Sequence, residues 1–211
     1  TMRIVSGLRI DRWQARDLRS MLGLGKGAMA VMVPNPTAGE ERRETLASGF
    51  ARLERDLAGK ATTLYAGLGS VERFPDYWEL FSDREGEQSV SAFGTRPERT
   101  TQLDFGLLHG GDGWNASVAA FAGRIDDYIL FDYMGGGMMG STTRARNIDA
   151  DIAGGELGVD WKAREGLKLS GVLAYAWGRT DEGALPQMPP LEGRLSASFD
   201  GLAMDFLRFT H

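Results

Sequence analysis

The stretch RTTQLDFGLLHGGDGWNASVAAFAGRIDDYILFDY, residues 99–133, decides the fold. Thr101, Leu103, Phe105 and Leu107 alternate with Gln102, Asp104 and Gly106, so apolar and polar side chains project to opposite faces of one extended strand. HGGDG, residues 109–113, is rich in residues that tolerate tight turns, and Trp114 opens a second strand. From Trp114 the alternation weakens around Phe121 and Ala122, where both faces are rather apolar.

The plan repeats downstream. Leu157, Val159 and Trp161 alternate with Glu156, Gly158 and Asp160. After KAREG, residues 162–166, Leu169, Leu173, Tyr175 and Trp177 face away from Ser170, Ala174, Ala176 and Gly178. Further strands fit residues 1–12, 44–56, 61–71, 191–199 and 203–211, which makes about nine. The fold class expected is all-β, an antiparallel meander.

Composition narrows the class. The chain has 211 residues, 42% hydrophobic and 25% charged, with a net charge of -5, which describes neither a disordered chain nor a basic nucleic-acid binder. Its 29 glycines suit many short alternating segments better than long helices. No apolar run approaches the roughly 18 residues of a membrane-spanning helix. There are no cysteines, so thiolate metal sites and disulfides are excluded. Residues 1–11 alternate like a strand and show no signal peptide, and GLAMDFLRFTH stops inside another strand-like run, so the chain is expected to be a piece of a longer protein.

The connections alternate in length. Short ones fall at 57–60, 110–113, 162–166 and 200–202, and long polar ones at about 13–43, 72–97, 133–145 and 180–190. An outer-membrane barrel has this asymmetry, with short periplasmic turns and long outer loops. Trp114 and Trp161 flank short turns, whereas Tyr128, Tyr133, Tyr175 and Trp177 lie toward long connections, as two interfacial aromatic girdles require. A soluble all-β binding domain with surface aromatics is the structural alternative.

Three groups of residues carry a family resemblance. RFPDYWELFS (73–82), RPERTTQLDFG (96–106) and AFAGRIDDYILFDY (120–133) resemble the barrel of TonB-dependent outer-membrane receptors. RIDDYILFDY with its methionine–glycine loop, ARNIDADIAGGELG (145–158) and LAYAWGRT…ALPQMPPLEGRLS (173–196) resemble the TonB-dependent copper receptors more closely. The resemblance implies a Gram-negative outer-membrane location, a barrel closed around an N-terminal plug domain, and active uptake driven by the TonB complex. Such transporters have about 22 strands. At roughly 23 residues per strand a whole barrel needs on the order of 500 residues. Residues 1–211 are therefore expected to be an incomplete barrel domain without the plug or the C-terminal strands. The partners implied are outer-membrane lipid and lipopolysaccharide, and TonB through the missing N-terminal part. A ferric-siderophore receptor is the alternative function.

FDYMGGGMMGSTTRARN, residues 131–147, gathers Met134, Met138 and Met139 among glycines, a density that argues against a regular helix or strand. Thioether sulfur is a soft ligand favouring Cu(I), and flanking glycines let sulfurs converge. These three methionines are the candidate metal ligands, an accessory capture site for copper as transported ligand. The bland alternative is adaptable packing. In the copper-receptor resemblance the principal ligands are expected on the plug and an upstream barrel segment.

No catalytic set is expected. His109 and His211 are the sole histidines, and His109 borders a short turn away from the methionine loop. Asp126, Asp127 and Asp132 read as a solvated strand end. GLGKG, residues 23–27, lacks the spacing and following Ser or Thr of a phosphate loop. No resident cofactor is expected. Arg12, Arg16, Arg19, Arg144 and Arg146, near strand–loop junctions, suit lipopolysaccharide phosphates, lumen carboxylates or an anionic ferric chelate.

Overall fold

In the computed structural model, residues 1–24, 31–57, 59, 61–81, 84–85, 88–89, 91–137, 140–199 and 202–210 are described. The elements in chain order are β1 (Met2–Arg16), β2 (Met21–Leu24), β3 (Val31–Pro34), β4 (Glu41–Asp56), β5 (Thr62–Arg73), α1 (Tyr77–Phe81), β6 (Arg84–Glu85) and β7 (Gln88–Ser89). They continue with β8 (Glu98–Gly110), β9 (Trp114–Gly137), β10 (Gly140–Arg164), β11 (Leu167–Thr180), β12 (Gly183–Ala184), β13 (Glu192–Phe199) and β14 (Leu202–Thr210). Nine are long, and each of these pairs antiparallel with the next in sequence, in the order β1-β4-β5-β8-β9-β10-β11-β13-β14. This is the expected meander.

Register lines up the apolar faces. Leu103 sits opposite Leu68 and Ala122, Phe105 opposite Ala66 and Ala120, and Leu107 opposite Leu64 and Val118. Val118 continues to Leu157 and thence to Leu173, and Trp114 lies directly across from Trp161. Along β8 exposure alternates from Glu98 to Gly106 in the sense opposite to a soluble protein. Leu103 and Phe105 are exposed (47% and 54%), while Gln102 and Asp104 are half-buried. Leu8 reaches 94%. On a curved sheet, side chains of the concave face crowd and shield one another. The polar face is therefore concave and the apolar face convex.

Two glycines on the concave face make room for rings. A Cβ at Gly106 would lie 2.1 Å from the Tyr65 ring, and one at Gly154 would lie 2.6 Å from Phe121. Each ring lies flat over the neighbouring strand, which a larger residue would forbid.

The large side chains that are fully buried, Phe93, Leu80, Asp17 and Pro75, all belong to the long connections. An apolar cluster joins Ile125, Ala150 and Leu185, with Tyr128, Ile152 and Met188 packed on it. Tyr128 is thus half-buried instead of joining an aromatic girdle. The reason is a bulge between Ile148 and Ala150, with Asp127 at φ 58°, which adds a residue to β9 and shifts the alternation beyond it. Tyr175 and Trp177 are exposed on the convex face as expected.

The stretch from residue 133 also departs from the expectation of a loop. β9 runs to Gly137 and β10 starts at Gly140, with Met134 opposite Thr142. Glycine density did not prevent a ladder, because extended backbone is open to glycine and pairing on both sides of β10 supplies its hydrogen bonds, Thr143 meeting Tyr133 of β9 and Arg84 of β6.

Candidate functional site

The end with the long connections is where the chain invests its polar interactions. RFPDYWEL folds into α1 for a local reason. The Asp76 carboxylate accepts the Glu79 amide at 2.9 Å, and the Glu79 carboxylate accepts the Asp76 amide at 2.7 Å, a reciprocal cap. Glu79 and Glu98 then share one arginine. Arg73 donates to Glu79 at 2.8 and 2.9 Å and to Glu98 at 2.7 and 3.1 Å. The Glu98 carboxylate also accepts the Ile129 amide at 2.8 Å. Arg73 therefore clips both ends of the 74–97 connection to the sheet.

A second node centres on Asp17, whose side chain is fully buried. It accepts Arg19 Nε and Nη2 at 2.9 and 2.8 Å, Asn35 Nδ2 at 2.9 Å and Thr37 Oγ1 at 2.8 Å. The Arg19 guanidinium and these donors hold the carboxyl well below the usual carboxylate range. Arg19 also donates to the Phe81 carbonyl and lies over the Phe81 ring at 4.6 Å. Arg42 donates to the carbonyls of Phe93 and Thr95, both at 2.7 Å. The connections at 17–40 and 74–97 are bolted together. A small sheet finishes the job: beyond β10 the order continues β6-β7-β2-β3, joining three long connections in one hydrogen-bonded array.

Farther along, Arg146 pairs with Asp132 and reaches Glu182 at 2.6 and 2.5 Å, linking the β9–β10 hairpin to the 181–191 connection. Asn147 donates to the carbonyls of Arg96 and Asp127 at 3.0 and 2.7 Å and secures the bulge. Among the described residues no buried side-chain nitrogen or oxygen lacks a partner.

The sequence-derived candidates fall as follows. Met134 lies in β9, but its side chain, with Met138 and Met139, lies outside the described residues, as do His211 and most of GLGKG. His109 stacks on Trp114 at 4.3 Å and bonds Thr62 Oγ1 through Nδ1 at 2.8 Å, beside a short turn. Asp126, Asp127 and Asp132 are not brought together: they pair separately with Arg124, Arg96 and Arg146. Among the described residues, no group of three or more His, Cys, Asp or Glu is placed to hold a metal ion. No helix among them is long and apolar enough to cross a membrane, which says nothing about strands.

Residues 7–210 match the family described as TonB dependent receptor-like, beta-barrel. The chain belongs to the TonB-dependent receptor β-barrel family. This places the segment in the Gram-negative outer membrane, with the convex apolar face toward lipid, the concave polar face toward the lumen, and the long connections outward. Among solved structures, the copper transporter OprC is 50% identical at a TM-score of 0.86, covering 94% of this chain and 31% of its own. The FrpB iron transporter of Neisseria meningitidis (F3-3 variant) is 14% identical at 0.63, covering 94% of this chain and 28% of its own. The ferric-catecholate import receptor Fiu of E. coli K12 is 14% identical at 0.65, covering 95% and 30%. The last two share the fold alone. No curated protein sequence matches. The chain spans about a third of these solved receptors, and they are transporters or receptors, not enzymes.

The signature strings RFPDYWE and RPE are visible in sequence, but their meeting through Arg73 is not. Arg19 was singled out there for anions in general, and the structure places it on the carboxylate of Asp17, whereas Asp17 and Arg42 went unnoticed, since no spacing rule joins Arg42 to carbonyls more than 50 positions away.

Proposed function

We propose that this segment is part of a TonB-driven outer-membrane receptor that imports copper. The observation that carries this reading is the 50% identity to the copper transporter OprC, sustained over 94% of the chain. On this reading residues 1–211 form one part of the barrel, and the plug, the TonB contact and the remaining strands are supplied by sequence outside it. Lipopolysaccharide of the outer leaflet is the lipid partner. A strain lacking the receptor should accumulate less copper under copper limitation, with iron unchanged, and should show no further copper loss when TonB is also removed. Iron loss with normal copper would replace this reading with a ferric-siderophore receptor. Copper uptake independent of TonB would make the protein a passive pore.

We also propose Met134, Met138 and Met139 as an accessory soft-metal site. Three thioethers need no deprotonation and favour Cu(I) or Ag(I) over Zn(II) and Ni(II). Changing all three to leucine keeps apolar volume and removes sulfur. The receptor should stay folded and bind fewer Ag(I) ions by calorimetric titration. Unchanged stoichiometry and affinity would reduce the methionines to packing.

A further inference from the structure

The connection between β11 and β13 does not stand clear of the wall. Gln102, Gly123, Ile152 and Gly178 lie directly across from one another on β8, β9, β10 and β11, so all four sit on the concave face. Leu185 and Met188 pack against that face. Leu185 is 6% exposed in its cluster with Ile125 and Ala150, and Met188 rests on the same cluster. Gly178 makes the room: a Cβ there would lie 3.0 Å from Leu185 Cβ and 3.0 Å from Met188 Sδ. The Leu185 amide also donates to the Gly178 carbonyl at 3.0 Å. The connection is thus seated inside the outer mouth, on strands that have neighbours on both sides.

Between the two seated side chains the backbone turns over Pro186 and Gln187. Proline at the first corner and a left-handed residue at the second is the order of a type II turn, whose second corner favours glycine or asparagine. Gln187 occupies it at φ 62°. Glycine would hold the same turn without strain, so the turn itself does not account for the longer carboxamide side chain. The ends of the turn, Leu185 and Met188, face the wall, and the exposed corner at Gln187 stands off it on the lumen side.

Resting on the copper reading above, we infer that Gln187 is a specificity contact for incoming cargo, its carboxamide hydrogen-bonding the water carried by a hydrated copper ion. Metal-bound water is a strengthened donor, and the Gln187 carbonyl oxygen is a neutral acceptor that meets it without a charge to trap the ion. Leu185 and Gly178 act through Gln187 as positioning residues.

The test is initial-rate copper uptake by cells carrying the full-length receptor, measured against free copper concentration, with iron uptake followed in parallel and rates normalised to surface abundance. Gln187→Gly should raise the half-saturating concentration about twofold to tenfold, the span of one net hydrogen bond, and leave the maximal rate unchanged. Gln187→Glu should lower that concentration and Gln187→Lys should raise it, because the cargo is a cation. Gln187→Asn keeps the carboxamide and accepts the left-handed corner, and should fall between wild type and Gln187→Gly. Gly178→Val evicts Leu185 and should match Gln187→Gly, with the double variant no worse than either single. A Gln187→Gly receptor equal to wild type, equal shifts from Gln187→Glu and Gln187→Lys, or additive losses in the double variant overturns the contact. So does a lower maximal rate at unchanged half-saturation, which would set Gln187 against another part of the receptor. Iron uptake without copper uptake sinks the copper reading, and the hydrated copper ion with it.

Discussion

Replacing Phe105 with arginine is expected to destabilise the folded barrel by about 2–4 kcal/mol, the cost of a charge near the bilayer midplane. Phe105 lies centrally in the apolar row of β8, between Leu103 and Leu107, and is 54% exposed. Gln102→Arg, three residues away on the other face, is expected to cost less than about 1 kcal/mol, because its side chain meets the wet lumen and the carboxylate of Asp104, to which Gln102 already donates at 2.7 Å. Denaturant unfolding in lipid vesicles reads both. Equal costs, or a greater cost at Gln102, would show that the convex face does not meet lipid.

The second large effect is expected at Arg73. The side chains of Glu79 and Glu98 are only 10% and 12% exposed, and Arg73 is the shared partner that makes their burial tolerable. Arg73→Ala strands both carboxylates. A fully buried pair broken in this way costs about 3–5 kcal/mol, but Arg73 itself is 45% exposed, so water screens part of the loss and about 2 kcal/mol is expected. Arg73→Lys should restore around half, since one ammonium cannot serve two carboxylates with paired bonds. Limited proteolysis should show residues 74–97 cut faster in the alanine variant, with a lower unfolding midpoint. Unchanged cleavage and midpoint would mean that Arg73 does not hold this connection.

The strands were legible because a wall between lipid and water enforces period two residue by residue, as from Thr101 to Leu107. The alternation lost its meaning only where the chain broke it. At Asp127 the bulge inserts a residue, and a count carried past it assigns Tyr128 to the wrong environment. α1 is five residues long, too short to show a 3.6-residue period, although Asp76 and Glu79 carry its capping spacing openly. β2, β3, β6 and β7 are two to four residues each, and their partners are chosen by tertiary placement that no local pattern encodes. The same reason hid the Asp17 node, whose donors come from Arg19, Asn35 and Thr37, and its link through Arg19 to the carbonyl of Phe81. The methionine hairpin misled in the other direction, because glycine content speaks to intrinsic preference and the ladder with β9 and β6 overrides it.

The array β10-β6-β7-β2-β3 has an evolutionary corollary. Connections that share hydrogen bonds cannot drift independently: an insertion in the 17–40 segment shifts the strand on which the 74–97 segment leans, and through it the hairpin carrying Met134. Sequence change there should travel as linked substitutions. A chimera that trades one connection for a relative's should misassemble unless all three are transplanted as a cassette.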